Sequence, residues 1–277
     1  LFLPKLGWVR IRGGRNICGT AKNITISRGG KHWFASVQVE QDIPEPTHPS
    51  TTMVGADLGV KRLITLSNGG FFEPIDTNKQ TAKIKRLQKQ LSRKKRYSEN
   101  WKKLNAKITL LHSKIANIRH DTLHKISTQL SKNHAIIVLE DLKIKNMTKS
   151  SKGNAEQHGK MVKQKAGLNR VILNQGWGMF KAMLTYKQAW HGGEVVLVDP
   201  KHTSQTCPEC DHKSPENRVS QARFLCKKCG YENNADHVGA LNILARGHRV
   251  LACGEIGNSQ LAEAGTGFES DPKVLLV

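Results

Sequence analysis

The chain has 277 residues, enough for one large domain or two smaller ones, and carries 44 lysines and arginines against 22 acids, a formal charge of +22. Such an excess is the electrostatic footprint of a polyanionic partner, either nucleic acid or an anionic membrane surface. No apolar run reaches the roughly 18 residues of a helical membrane span, which excludes such a span within this sequence, and with acids this scarce a carboxylate inside an apolar strand is informative.

Residues 1–43 alternate β-branched and aromatic residues with glycine turns, as in WVRIRGG, ITISRGG and WFASVQV. The pattern predicts a small antiparallel sheet or partial β-barrel. Arg10 and Arg12 alternate with Val9 and Ile11, giving one apolar and one positive face. The positive face is either ordinary solvated surface or a contact for a nucleic-acid backbone. Cys18 has no evident partner. The sequence opens at Leu1 inside strand-like sequence, which predicts that part of a longer protein is missing. The proline-rich stretch 43–52 reads as a linker and first domain boundary.

Residues 53–72 read as strand, glycine turn, strand, Asn-Gly turn, strand. Asp57 sits in the first of these, where a carboxylate is costly unless it binds a metal or a strong donor. A turn-associated aspartate is the plainer alternative. Gly55 and Gly59 leave room there for a ligand or a close backbone. Residues 78–133 read as helical. Leu104, Ile108, Leu111, Ile115 and Ile118 keep the alternating four- and three-residue steps of a packed helix pair. Ile84, Leu87 and Leu91 form the matching stripe, and a break near 97–100 predicts an antiparallel hairpin. Arg86, Arg93, Lys94, Lys95, Arg96, Lys102 and Lys103 crowd its outer end, with Glu99 the nearby acid. A run this one-sided predicts phosphate contact over a merely solvated face.

Residues 135–141, AIIVLED, read as a short buried strand suited to the middle of a parallel sheet. Glu140 shares a face with Ile136 and Val138; Asp141 points the other way or belongs to the loop. Residues 143–169 are basic and polar, and read as a mobile loop near the site or as plain disorder. Residues 170–190 read as a helix interrupted or started at Gly176-Trp177-Gly178, and residues 193–199 as another strand. Asp199 is a candidate extra ligand, although a strand-end turn before Pro200 explains it more simply.

Two CxxC pairs follow, Cys207/Cys210 and Cys226/Cys229. Each places two thiolates on one tight turn, so two facing turns close a tetrahedral zinc shell. Gly230 suits the positive φ such a turn wants; Asp211, at the matching place after the first pair, tolerates it less easily. Lys213, Lys227 and Lys228 would soften the thiolate charge. The alternatives are two disulfides or four reduced core cysteines; no secretory signal is visible, which disfavours disulfides. A closed four-cysteine site leaves no open position, so its metal holds structure. The helix that follows has Asn234 as N-cap, Val238, Leu241 and Leu244 on one face, and Gly247 as a stop signal. Asp236 lies in its first turn, where the helix dipole favours a carboxylate; alone it is merely a favourable first-turn acid. The tail, 251–277, is weakly patterned and expected to be weakly ordered, with Cys253 a free thiol.

The element order is three strands, helices, a strand, a helix, a strand and a final helix. Acids fall on the first strand (Asp57), the fourth (Glu140) and the last helix (Asp236). That is the arrangement of an RNase H-like nuclease of the RuvC type. Three carboxylates reaching one point can hold two Mg²⁺ or Mn²⁺ ions, hard cations suited to oxygen ligands. The fold class expected is therefore α/β: an RNase H-like mixed sheet with helices over residues 52–204 and 231–250, a four-cysteine zinc ribbon inserted at 205–230, and the partial barrel at 1–43.

The segments GADLGVKRLITL, RHDTLHKIS, IIVLEDLKIKNM, NQGWGMFKAML, YKQAWHGGEVVLVDPKHTSQTCPECDHKS and CGYENNADHVGALNIL resemble the TnpB family of transposon-associated proteins, relatives of the type V CRISPR effectors. The resemblance runs from Leu1 to about residue 265. It implies a RuvC-like core with a zinc ribbon, RNA-guided DNA cleavage, guide RNA and target DNA as partners, and a prokaryotic cytoplasm. It puts the catalytic acids on Asp57, Glu140 and Asp236 and the zinc ligands on Cys207, Cys210, Cys226 and Cys229. It also makes Arg119 and Asp121 structural, as an ion pair tying the hairpin to the sheet. Two departures stand out: the family's longer N-terminal region is not present in this sequence, and Asp211 replaces the usual glycine, a change expected to leave zinc binding intact. The alternative of a different class is a truncated nucleic-acid binder that does not cleave.

Overall fold

The computed structural model describes residues 1–12, 17–29, 32–154, 158–253 and 274–276. The chain divides into two compact units. One comprises residues 1–45, 77–117 and 257–277, the other residues 46–76 and 118–256.

In the first unit, β1 (Phe2–Leu3) and β2 (Gly7–Trp8) form a short antiparallel ribbon. An open antiparallel sheet is built from β3 (Ile11–Arg12), β4 (Thr20–Gly29), β5 (His32–Glu40) and a late strand, Val274–Leu276, in the order β3, late strand, β5, β4. These strands answer to the period-2 pattern read in residues 1–43, but the described residues form a ribbon and an open sheet, with no closed barrel among them. Arg10 and Arg12 are exposed, and Val9 and Ile11 are half-buried.

The second unit carries a five-stranded mixed sheet. Its strands are β6 (Met53–Leu58), β7 (Ile64–Leu66), β8 (Phe71–Phe72), β9 (Ile136–Glu140) and β10 (Glu194–Val198), in the order β10-β9-β6-β7-β8. β9 runs parallel to both β6 and β10, while β7 and β8 return antiparallel. Between these strands in sequence lie α1 (Asn78–Leu91) and α2 (Glu99–Asn133), of which α1 and the part of α2 up to residue 117 belong to the first unit, and then α3 (Ile144–Met147), α4 (Val162–Gln175) and α5 (Trp177–His191). After β10 come the short pair β11 (Arg223–Leu225) and β12 (Glu232–Asn234), and then α6 (Ala235–Ala252). One face of the sheet packs Val54, Ala56, Ile137 and Leu139 against Leu123, Leu130, Phe180 and Leu184. The other packs Val138, Val196 and Val198 against Ile243. Strands covered on both faces explain the unbroken apolar run of β9.

The hairpin of α1 and α2 forms with its turn where the sequence breaks. Ile84, Leu87 and Ile108 are buried together with Leu91, Leu104, Leu111 and Ile115 beside them. Ile118 leaves that stripe and packs on the central core instead.

Three expectations need correction. Gly247 does not stop α6. The helix continues to Ala252, and a Cβ at Gly247 would lie 2.5 Å from Val138 and 2.7 Å from Met53, so the glycine serves close helix–sheet packing. The stretch 143–169 is not one loop: α3 occupies its start, and α4 begins at Val162, buries Ile172 and Gln175, and gives way to α5 at Gly176, whose φ is +72°. Arg119 and Asp121 do not pair with each other. Arg119 donates to the carbonyl and side-chain oxygens of Asn174 at 2.8 and 2.7 Å, tying α2 to α4, and Asp121 pairs with Lys125 along its own helix. A further lock was not read in the sequence. Lys187 of α5 is buried and donates to the His124 carbonyl and to the Ser127 and Thr128 hydroxyls, and burial lowers its pKa to about 8. Of the tail expected to be weakly ordered, 251–277, Leu251 and Ala252 end α6 and Val274–Leu276 form the late strand, while 254–273 and 277 lie outside the described residues.

Candidate active site

Strand register brings two acids level. Ala56 pairs with Leu139 across the parallel β6–β9 ladder, so the next position on each strand, Asp57 and Glu140, shares one level and one face. The third acid, Asp236, sits in the first turn of α6, which the side chain of Asn234 caps by accepting from the amides of Asp236 and His237. The helix reaches the sheet because glycine stands on both sides of the contact. A Cβ at Gly55 would lie 2.4 Å from the Ala240 carbonyl, and one at Gly239 would lie 3.1 Å from Oδ2 of Asp57.

Asp57 feels the other two carboxylates. Burial raises the Asp57 pKa, the charges of Glu140 and Asp236 raise it further, and Arg218 lowers it; the result is about 7. Burial likewise raises Glu140, opposed by the Thr203 hydrogen bond and the Arg246 charge. Thr203 donates its hydroxyl to Glu140 Oε1 at 2.5 Å, and Asn242 of α6 holds that loop by donating to the Thr203 and Thr206 carbonyls. Arg218 comes from the cysteine-bearing segment to within 3.6 Å of Asp236. Arg246 donates to the Asp199 carbonyl. Asp199 itself accepts from the Lys201 amide at 2.9 Å, the strand-end turn expected of it. Asp141 pairs with Lys143 and Lys181, whose donation holds its carboxyl below the usual range. Thr203, Arg218 and Arg246 were not singled out in the sequence: Thr203 and Arg218 lie in irregular segments, and Arg246 is one of the basic residues late in α6.

The cysteine site is tighter. The sulfurs of Cys207, Cys210, Cys226 and Cys229 all lie within 4.8 Å of one another, the one set of three or more such ligands packed that closely among the described residues. Cys207–Cys229 and Cys210–Cys226 are each 3.6 Å apart, near the edge of about 3.8 Å that four zinc–sulfur bonds of about 2.3 Å require. None is in a disulfide. The two turns are copies of each other. The amides of Asp211 and Gly230 donate back to the Cys207 and Cys226 carbonyls, and the Cys207 and Cys226 amides donate to the carbonyls of His212 and Tyr231. Asp211 has φ 54° and Gly230 φ 76°, so the aspartate takes the left-handed conformation glycine would have taken. Burial pushes the Cys226 thiol up, but the amides of Cys229 and Lys228 outweigh it and bring it to about 6. Asn217, fully buried, donates to the Gln205 and His212 carbonyls and accepts from the Lys227 amide, bridging the two turns. The donor set thus fits a four-coordinate metal.

The basic residues of the hairpin, Arg86, Arg93, Lys94, Lys95, Arg96, Lys102 and Lys103, are all exposed. Among the described residues no helix is long and apolar enough to cross a membrane.

A mixed sheet with an acid on each of two strands, a third acid in the first turn of α6 and four clustered cysteines just before that helix is the arrangement to set beside transposon-associated proteins and their CRISPR relatives. The family model OrfB_IS605, "Probable transposase", matches residues 36–151, and the model "Cas12f1-like, TNB domain" matches residues 177–243. The chain belongs to this OrfB-type, or TnpB, family. It is 53% identical over 260 residues to "Putative RNA-guided DNA endonuclease InsQ" of Escherichia coli K12, covering 94% of this chain and 65% of that one. It is 32% identical over 253 residues to a protein of the same description from Streptomyces pristinaespiralis, covering 91% and 58%. A solved Cas12f1–sgRNA–target DNA complex aligns over 80% of this chain and 55% of that one, with a TM-score of 0.48 and 20% identity. The chain therefore spans about three-fifths of the length of the curated relatives it matches.

Proposed function

We propose that this chain is the nuclease region of an RNA-guided DNA endonuclease, with an RNase H-like core of the RuvC type over residues 52–204 and 231–250 and a zinc ribbon at 205–230. The observation that carries the reading is the meeting of Asp57, Glu140 and Asp236, from two strands and a helix, at one end of the sheet. A carboxylate whose pKa is raised by burial and further by two neighbouring acids, as that of Asp57 is by Glu140 and Asp236, is a poor surface for phosphate and a good cradle for divalent cations. Three carboxylates can hold two such ions about 3.5–4 Å apart. Magnesium or manganese bound there would supply the Lewis acidity that phosphodiester hydrolysis needs at the attacking water and the leaving oxygen.

The protein's own residues then have distinct tasks. Asp57, Glu140 and Asp236 provide hard oxygen ligands. Thr203 fixes the Glu140 rotamer by its hydrogen bond. Arg218 and Arg246 are cations close enough to the acids to meet a phosphate oxygen at the same place. The four cysteines hold zinc, and that site keeps the segment bearing Arg218 and the start of α6 in position. Guide RNA and target DNA are the partners. Base pairing would carry the sequence specificity, while Arg10, Arg12 and the hairpin cations engage backbone phosphates.

The test is cleavage of single-stranded DNA with Mg²⁺, parent against Asp57→Ala. The parent cuts and the variant loses more than about 100-fold in rate, which is about 2.7 kcal/mol of barrier. Equal activity in the two proteins would remove these residues from the chemistry. DNA binding without cleavage by the parent would favour a non-cleaving binder.

A further inference from the structure

The outer end of the α1–α2 hairpin carries more than charge. A cleft of about 520 Å³ opens there, lined by Gln90, Arg93, Lys94, Asn100, Lys103 and Lys107 among others, with no acid in its wall. The turn closing the hairpin holds Tyr97, which is 63% exposed and sits at φ 64°, an uncommon conformation for a bulky residue. Its ring lies 5.5 Å from that of Trp101 at an interplanar angle of 59°. The Arg96 guanidinium lies over the same ring, 4.9 Å from its centroid. The nearby acid, Glu99, is engaged by Lys102 at 2.8 Å.

Phosphate attraction alone does not call for an exposed aromatic ring. A ring beside a stacked guanidinium and a basic cleft is what an unpaired nucleotide needs: a π-face for its base and cations for the flanking phosphates. We infer that the hairpin tip is a binding site for an unpaired nucleotide step of a nucleic-acid strand, with the base on the Tyr97 ring and the adjoining phosphates in the cleft between Arg93, Lys94, Lys103 and Lys107. The inference rests on the reading that this chain works on nucleic acid, and narrows it to one site and one structural state of the ligand. A fully paired duplex offers the cations its phosphates but offers the ring no free base. The strand that supplies the nucleotide is RNA or DNA, and the two share this chemistry.

The experiment is fluorescence anisotropy with the purified full chain. The probes are an unstructured oligonucleotide of about 15 nucleotides, within the span of one single-strand site, in RNA and DNA forms, and a blunt duplex of the same length. Parent, Tyr97→Ala and Tyr97→Phe are compared, with thermal melts to establish folding. Tyr97→Ala weakens single-strand binding about tenfold, as loss of one stacked base should, and leaves the duplex affinity unchanged; Tyr97→Phe keeps the parent value. The arm with the larger loss, RNA or DNA, identifies the source of the nucleotide. As an independent readout, a 4-thiouridine oligonucleotide crosslinks to the peptide holding Tyr97 and Trp101. Equal losses for single strand and duplex, or no loss in either, would overturn the inference while leaving the nuclease reading standing. A parent that binds none of the probes would overturn both.

Discussion

The cysteine site and the acid site are built on opposite principles. The four thiols come from two five-residue turns with identical hydrogen bonding, and local spacing alone determines where they point. The three carboxylates lie on β6, β9 and α6, separated by most of the chain, and no local pattern brings them together. Their meeting depends on strand register and on glycine at the helix–sheet contact. The first site has the donor set of a four-coordinate metal and could gain stability from one. The second is held together against its own repulsion by the fold around it.

Removing metal from the cysteine site should give the largest effect, because structural zinc contributes on the order of 10 kcal/mol to the fold of its domain. Strong chelation, or Cys226→Ser, is expected to expose residues 201–232 to protease before the rest of the second unit, with one zinc released per chain. Unchanged proteolysis of that stretch would show that the ribbon stands without metal.

Removing a charge from the acid site should act in the opposite direction. Asp57 keeps its proton to about pH 7 when folded and loses it near 3.8 when unfolded. Folding thus takes up a proton between these values. The stability this group contributes is intact below pH 3.8 and is lost as pH rises towards 7. Across that window the loss is about 4 kcal/mol. Asp57→Asn should therefore stabilise the metal-free chain by up to that amount at about pH 8 and by little at about pH 4, measured by urea unfolding. Excess Mg²⁺ should shrink the gain, since a cation favours the ionised form. A destabilised variant at the higher pH would show that Asp57 is held by a partner and not strained by its neighbours.

A smaller effect separates metal from scaffold within the ribbon. Asn217→Ala leaves two carbonyls and one amide without their side-chain partner. At about 1–3 kcal/mol for a buried group left unpaired, the ribbon should melt earlier while still binding zinc. Zinc loss without a change in melting would mean that Asn217 acts on the ligands themselves.

Much of this could be read from residues alone, and the boundary follows the same division. The CxxC pairs announced their turns, including the left-handed conformation at Asp211, and the heptad stripe announced the hairpin. The half-buried strand acids Asp57 and Glu140 could be suspected singly, because a carboxylate in an apolar run is costly, and the order of the three acids suggested a shared site. Signals with more than one physical cause misled. Gly247 reads as a helix stop, yet it is glycine because Val138 and Met53 leave no room for a Cβ. The start of α4, residues 162–169, reads as loop because it is polar and basic and holds none of the helix's buried residues, Ile172 and Gln175, which lie in its second half. Arg119 found its partner in Asn174, 55 positions away, where no spacing rule reaches. Thr203, Arg218 and Arg246 lie in irregular segments or on a polar helix face, and only the folded chain shows what they touch.

The most direct test of the shared acid site is Mn²⁺ binding, followed by the loss of free-ion EPR signal on the zinc-loaded chain, for the parent and for Asp57→Asn, Glu140→Gln and Asp236→Asn. If the three acids hold divalent cations in common, each single substitution weakens binding of the whole set and zinc content stays unchanged. If any one of the three variants binds manganese as the parent does, that acid is not a member of the site and the account fails at its centre.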